Sequence, residues 1–246
     1  MEILVVRDEY EAGRAAAEAV IEALADSASP VLGVATGSSP LSTYRHLAEA
    51  AAAGRFDPAR VRAFALDEYR GISPEHPESY HAVIRREVCE RVGLLPEHVR
   101  VPPGRAEDPV SACAEYEAAM AAAGGVDVQI LGIGSNGHIG FNEPGSSPES
   151  RTRVQRLTPQ TRQDNARFFG GRVEDVPEEC VTQGIGTILE ARRIVLVAQG
   201  ESKAGALAAM VNGPVTPECP ASILQRHPSV LVVADEAAAA QLPRRN

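Results

Sequence analysis

The chain has no Cys-x-x-Cys pair, no excess of basic charge, no long apolar run, no internal repeat and no low-complexity linker. Its four cysteines, Cys89, Cys113, Cys180 and Cys219, lie far apart and have no His-rich partner segment. A zinc site is therefore not expected, and the thiols read as buried or free. The 24 basic and 33 acidic residues give a formal net charge of -9. That balance disfavours a general nucleic-acid surface and requires any anionic ligand to be held locally. The opening stretch, Met1 to Tyr10, carries acids and an apolar run of about four residues, too short for a secretory segment or a spanning helix. A cytoplasmic protein with neither membrane nor nucleic-acid partners is expected by elimination.

What the chain does have is the composition of a globular core, with 44% hydrophobic and 23% charged residues over 246 positions. Open α/β sheets reach this length as one domain, so residues 1–246 are expected to form a single domain. Short aliphatic runs at Ile3–Val6, Val31–Ala35, Val61–Leu66, Val126–Leu131, Ile194–Ala198 and Val230–Val233 alternate with alanine-rich stretches. That order predicts an α/β fold with a mainly parallel sheet covered by helices. Ala16, Val20, Ala23 and Leu24 stand at i, i+4, i+7 and i+8, one apolar stripe along a helix. Further helices are predicted over 40–53, 79–92, 110–123, 158–168 and 201–211.

Ligands of open α/β sheets sit beyond the carboxyl ends of the strands, which directs attention to the strand exits. After Val31–Ala35 comes Thr36-Gly37-Ser38-Ser39-Pro40 and then a helical run. Backbone N–H groups, hydroxyls and a helix start suit an anion such as phosphate. An ordinary capped turn has the same composition. No Walker lysine follows, so a nucleotide-hydrolysing P-loop is the wrong template. After Val61–Leu66 comes Asp67-Glu68-Tyr69, where a strand-end carboxylate is placed either as a partly desolvated base or as a structural acceptor. The following segment, Gly71 to Ser79, is long enough for a lid or a wall.

After Val126–Leu131 comes Gly132-Ile133-Gly134-Ser135-Asn136-Gly137-His138, a literal match to the dinucleotide fingerprint G-x-G-x-x-G. The match is misleading. A helix should open at the last glycine and an acid should follow roughly 20 residues on, yet His138 to Gly145 reads as a loop and Thr152–Leu157 contains no acid. Nicotinamide and flavin are accordingly not expected. His138 with Glu143 close by suits proton shuttling near neutral pH, and Asn136 joins the group; a structural hydrogen-bonding histidine is the alternative. Arg167 and Lys203 are the remaining cations of interest, Lys203 because a lysine at a helix start is unfavourable unless an anion meets it.

Taken together, these segments resemble the glucosamine-6-phosphate deaminase family, within the wider group containing 6-phosphogluconolactonases. The resemblance runs through Val31–Pro40, Leu66–Tyr69 with His76–Tyr80, Gly132–Ser147, Ser150–Arg153, Asn165–Phe169, Thr182–Ile188, Gly200–Ala204 and His227-Pro228, in the family's order. It implies a modified doubly wound, Rossmann-like, mainly parallel sheet with helices on both faces. It also implies Asp67 as the proton-transfer base at sugar C2 and His138 as the ring-opening acid/base, with Asn136 and Glu143 as companions. Ser38, Ser39 and Lys203 are similar to phosphate-site residues and Arg167 to a further substrate contact; Thr36, Gly37 and Gly137 are counted with the substrate-binding set. No metal or organic cofactor is implied.

Two departures from the family pattern stand out. Asn136 occupies a position where many members have Asp, which implies an altered pH dependence. Gln155 and Arg156 replace a Lys-Thr pair of the family's activator site, and the chain ends soon after Asp235-Glu236. An allosterically activated hexamer is therefore disfavoured, with monomer or another homo-oligomer left open. Rival readings are a galactosamine-6-phosphate deaminase or isomerase, a 6-phosphogluconolactonase, and a non-catalytic sugar-phosphate sensor.

Overall fold

The computed structural model describes residues 1–243; the last three positions of the expected span 1–246 lie outside the described residues. Seven strands form one parallel sheet: β1 (Glu2–Val6), β2 (Val31–Val34), β3 (Arg62–Ala65), β5 (Val99–Arg100), β6 (Val128–Leu131), β9 (Arg193–Ala198) and β10 (Val230–Asp235). Their spatial order is β1-β10-β9-β6-β2-β3-β5. The chain steps outward from β2 through β3 to β5, then returns to β6 beside β2 and steps the other way through β9 and β10. Connections from β2 and β6 thus depart in opposite directions, which opens a crevice between their carboxyl ends.

The expected mainly parallel, doubly wound sheet is present, and each of the six predicted runs falls on one of its strands. Continuous apolar sequence is what a strand buried on both faces requires, and all four residues of both β2 and β6 are buried. Helix α1 (Glu9–Ala25) starts at Asp8, whose carboxylate accepts the Glu11 N–H. Its stripe is seated as the periodicity predicts, with Ala16, Val20 and Leu24 buried and Ala23 half-buried. An added Cβ at Gly13 would overlap Ser42 of α2 (Leu41–Ala52), so glycine sets the closeness of that helix pair.

A second sheet is not evident from the sequence. β4 (Asp67–Tyr69), β7 (Arg153–Arg156) and β8 (Glu179–Thr182) pair antiparallel in the order β4-β8-β7. These strands are short and carry charged residues, so they lack the apolar run that marked the others. The predicted helices occur with changed ends or pitch. The 79–92 stretch is α3 (Tyr80–Ile84) opening into a π-type turn over Arg85–Glu90. The 110–123 stretch is α4 (Pro109–Ala122), and 158–168 is α5 (Pro159–Asn165) followed by a 3-10 turn at Ala166–Phe168. A short α6 (Ile185–Leu189) follows β8, and the 201–211 stretch is a 3-10 turn at Glu201–Lys203 leading into α7 (Ala204–Asn212). Among the described residues no helix is long and apolar enough to cross a membrane.

Tyr44 ties this frame to the exit of β2. Its ring is 1% exposed, and its hydroxyl donates to the Ala35 carbonyl at 2.7 Å while accepting the Ala35 N–H at 3.0 Å. Tyr44→Phe strands both backbone groups, at a cost of about 1–3 kcal/mol. Urea denaturation followed by circular dichroism should show that loss with native secondary structure retained; an unchanged midpoint would show that the bridge contributes nothing.

Candidate active site

The crevice between β2 and β6 is a cleft of about 200 Å³. At one end lies the turn after β2. Gly37 takes φ +91°, which a side chain rarely adopts, and α2 begins at Pro40 without a side-chain cap. Ser38 is exposed and Ser39 buried, and Thr36, Gly37, Ser38 and Ser39 all line the cleft. Lys203 reaches the same cleft from the turn after β9, and Arg167 from the turn after α5. Burial lowers the Lys203 pKa, Asp164 opposes that shift, and Arg167 adds to it. A helix start and two cations lining one cleft make it suited to a phosphate dianion.

Asp67 occupies the floor. It opens β4, faces Thr182 of β8 across the ladder, and is 5% exposed. Burial holds its carboxyl well above the ordinary carboxylate range, the neighbouring Glu68 charge adds to this, and the Phe141 N–H opposes it. The Phe141 segment approaches this closely because Gly140 takes φ +54°; a Cβ there would press on Thr182 and Asp67. Glu68 points to the other side of β4, where its carboxylate accepts N–H bonds from Tyr69 at 2.8 Å, Tyr80 at 2.9 Å and His81 at 2.9 Å. It thereby caps α3 together with Ser79 and closes the Gly71–Ser79 segment against the strand.

His138 forms part of the cleft wall after β6. An added Cβ at Gly134 would overlap its ring, so the glycine makes room for the imidazole. Behind His138 lies Glu143, 2% exposed, with Oε2 3.8 Å from Nδ1. Asn136 Nδ2 donates to the same Oε2 at 2.9 Å, the Thr158 N–H donates to Oε1 at 3.1 Å, and Asn136 Oδ1 accepts the His138 N–H at 3.2 Å. Burial lowers the His138 pKa, Glu143 pushes it up, Lys203 pushes it down and Asp164 raises it. The result is an imidazole that is neutral near pH 7 but backed by a fixed carboxylate able to stabilise its protonated form.

Tyr80 and Phe141 stack at 5.7 Å, and Tyr69 lies 4.8 Å from Tyr80 and 5.6 Å from Phe169, forming an aromatic side to the cleft. Asn165 Nδ2 bonds the Tyr69 hydroxyl at 3.0 Å, joining α5 to this wall.

Asp67, His138, Thr36, Gly37, Ser38, Ser39, Arg167 and Lys203 therefore share one cleft. Asn136 and Glu143 stand behind His138 rather than in the cleft. Gly137 does not line it: its φ is +85°, a Cβ there would press on Cys219, its N–H bonds Gly134 and its carbonyl accepts from Ala221. Its place is in turning the loop. Sequence reasoning missed Gly134 and Gly140 as individual requirements, and it missed Glu68, Thr158 and the aromatic wall. A glycine four residues before a candidate histidine is the one local signal that could have pointed to Gly134. Among the described residues no group of three or more His, Cys, Asp or Glu side chains is arranged to hold a metal ion.

A family model described as glucosamine-6-phosphate isomerases/6-phosphogluconolactonase matches residues 8–233. The chain is 56% identical over 242 residues to a glucosamine-6-phosphate deaminase of Cutibacterium acnes, covering 98% of this chain and 92% of that one. It is 55% identical to a deaminase of the same name from Streptomyces avermitilis, covering 98% and 93%. The solved structure of a monomeric glucosamine-6-phosphate deaminase superposes with a TM-score of 0.94 at 38% identity, covering 98% of this chain and all of that one. A 6-phosphogluconolactonase from Trypanosoma cruzi shares the fold at 21% identity and a TM-score of 0.77, covering 99% and 97%.

The opposed influences on His138 are measurable. By NMR its imidazole should titrate below 6.5 in the folded protein, and lower still in Glu143→Gln, which removes the charge favouring the imidazolium. The unfolded chain then binds the proton first, so His138 makes the fold lose stability as pH falls from 6.5 through the folded value. A titration at or above 6.5 in the parent protein would contradict this account of the site.

Proposed function

The chain belongs to the glucosamine-6-phosphate isomerase/6-phosphogluconolactonase family, and we propose that it is a glucosamine-6-phosphate deaminase, converting glucosamine 6-phosphate and water to fructose 6-phosphate and ammonia. The observation that carries this reading is the pairing, in one cleft, of a buried strand-end carboxylate at Asp67 with a carboxylate-backed imidazole at His138. A binding site alone has no need of either.

The substrate phosphate is assigned to the Ser38–Ser39 turn with Lys203 and Arg167. Neutral His138 takes the anomeric hydroxyl proton and, as imidazolium steadied by Glu143, returns a proton to the ring oxygen, opening the pyranose. Asp67 then removes the C2 proton while O1 takes up a proton to give the enolamine; return of the C2 proton to C1, with loss of one amine proton that balances the one gained by O1, leaves the imine at C2. Water adds to the imine, and collapse of the carbinolamine expels ammonia and leaves the ketone of fructose 6-phosphate. Burial strengthens Asp67 as a base by raising its pKa. Phosphate binding far from C2 supplies remote binding energy that orients the carbon against Asp67.

Every group in this scheme comes from one chain, which supports a site complete in the monomer, and the cleft draws on both sheets, which supports reading the chain as one catalytic domain. A charged sugar phosphate as substrate supports the cytoplasmic assignment. Asn136 donates a side-chain amide N–H to Glu143 Oε2 where a carboxylate would repel it, so the relay needs no extra proton there.

The direct test incubates the protein with glucosamine 6-phosphate and follows fructose 6-phosphate and ammonia together, with galactosamine 6-phosphate as a control. The two products should appear in equal amounts, and Asp67→Asn should lower turnover by about 10²–10⁴-fold with substrate still bound. Saturable binding without turnover by the parent would favour a sensor. Because the base acts ionised, kcat/KM should rise with pH as Asp67 loses its proton, over a range above that of an exposed carboxylate; an acid limb at the ordinary carboxylate pKa would remove Asp67 from this role.

N-acetylglucosamine 6-phosphate should leave the substrate-saturation curve in place. Arg153 is already engaged by Asn142 at 2.9 Å, Ser146 at 3.1 Å and Gln155 at 2.9 Å, and Arg156 by Glu178 at 2.9 Å. A left shift of the curve would refute the reading of this region as silent.

A further inference from the structure

One carboxylate in the cleft has no part in the chemistry above. Asp164, in the last turn of α5, lines the cleft with Lys203, Arg167 and His138. Ser135, in the His138 loop, donates to its Oδ2 at 2.7 Å, and Gln160, one turn earlier on α5, donates to its Oδ1 at 2.8 Å. Both donors are neutral, so the carboxylate is fixed in place without its charge being cancelled. Among the described residues neither Lys203 nor Arg167 forms an ion pair. Asp164 is the carboxylate whose field reaches Lys203.

Two unpaired cations beside a helix start bind a phosphate dianion strongly, and substrate and product carry the same phosphate. Tight uniform binding lowers KM without raising kcat and slows release of product. We infer that Asp164 is a positioning residue which, held by Ser135 and Gln160, opposes the anion at the Lys203 and Arg167 end of the cleft and so moderates its affinity for phosphate. The inference rests on the assignment of the phosphate to that end.

The test is calorimetric titration of inorganic phosphate into the parent protein, Asp164→Asn and Ser135→Ala, at low and high ionic strength, with steady-state kinetics on glucosamine 6-phosphate alongside. Asn keeps the size of Asp164 and removes its charge; its Oδ1 can still accept from Gln160, and its Nδ2 can donate to the Ser135 hydroxyl, reversing that bond. It should bind phosphate about three- to tenfold more tightly at low ionic strength, with the gain shrinking in high salt and KM falling in the same direction without a rise in kcat. Ser135→Ala keeps the charge and the Gln160 bond, and its phosphate affinity should stay within about twofold of the parent value. A purely structural role would move both variants together and show no salt dependence.

Equal phosphate constants for Asp164→Asn and the parent overturn the inference, as does weaker binding. Unchanged phosphate binding with a raised KM also overturns it and places the carboxylate on the sugar instead. A parent that binds no phosphate removes the inference together with the phosphate end of the site. Failure of the parent to release ammonia from glucosamine 6-phosphate, with the phosphate constants as expected, sinks only the deaminase reading.

Discussion

The burial of the Asp67 carboxylate, which forms no ion pair among the described residues, is the constraint around which this molecule is built. Desolvation opposes its charge, and the charge that acts on it is that of a second carboxylate, Glu68. Such a group weakens the fold at neutral pH, because folding must either desolvate the anion or keep the proton. The surroundings limit the cost without cancelling it. Glu68, on the opposite side of β4, is satisfied by three backbone N–H groups, while the Phe141 N–H that lowers the Asp67 pKa makes its own hydrogen bond to Thr182 Oγ1 at 3.1 Å. An arginine beside Asp67 would have stabilised the protein and lowered the carboxyl pKa.

The imidazole is treated in the opposite manner. His138 is buried enough to lose its proton easily, and Glu143 restores part of the stability of the charged form. In the proposed reaction His138 must give its proton back, and burial set against a carboxylate 3.8 Å away suits a neutral imidazole that can be protonated in passing. The glycines on either side serve the same end by different means. Gly134 yields space to the ring, while Gly140 brings the chain over Asp67. Helix α5 and its N-cap supply an outer brace through the Thr158 N–H on Glu143 and Asn165 on Tyr69, which ties the loop behind His138 to β4.

The parallel sheet was legible because its central strands β2, β6, β9 and β10 are buried on both faces and read as aliphatic runs, whereas the edge strand β5, only Val99–Arg100, left no such run. Asp67 and His138 were legible because polar residues directly follow such runs. Glu68 was not, because a carboxylate satisfied by backbone groups 12 and 13 positions away leaves no local pattern. β7 and β8 were hidden for a related reason: Arg153-Val154-Gln155-Arg156 has one aliphatic residue in four, and its pairing with β8 is set by partners 23 to 29 positions away. Gly137 shows the limit of reading a motif as a contact list, since its position in a glycine-rich loop is explained by Cys219 and a turn rather than by the cleft.

The second sheet also explains why the base sits where it does. The chain leaves β3 at Leu66, whose N–H still bonds to Val34 of β2 while its carbonyl accepts Gln183 N–H at 2.7 Å. Asp67 is the next residue, the first of the antiparallel ladder, so it lies on the seam between two differently oriented sheets. A carboxylate at the free end of a lone parallel strand would be carried on a loop and would be solvated. Pairing with β8 extends the strand past the edge of the main sheet and keeps Asp67 both rigid and dry. In the proposed reaction rigidity matters because C2 must meet the carboxylate within a narrow range of positions, and dryness matters because water would return its pKa to the ordinary range. The polar, inconspicuous strands β7 and β8 are thus what keeps a strand-end aspartate buried with its pKa raised.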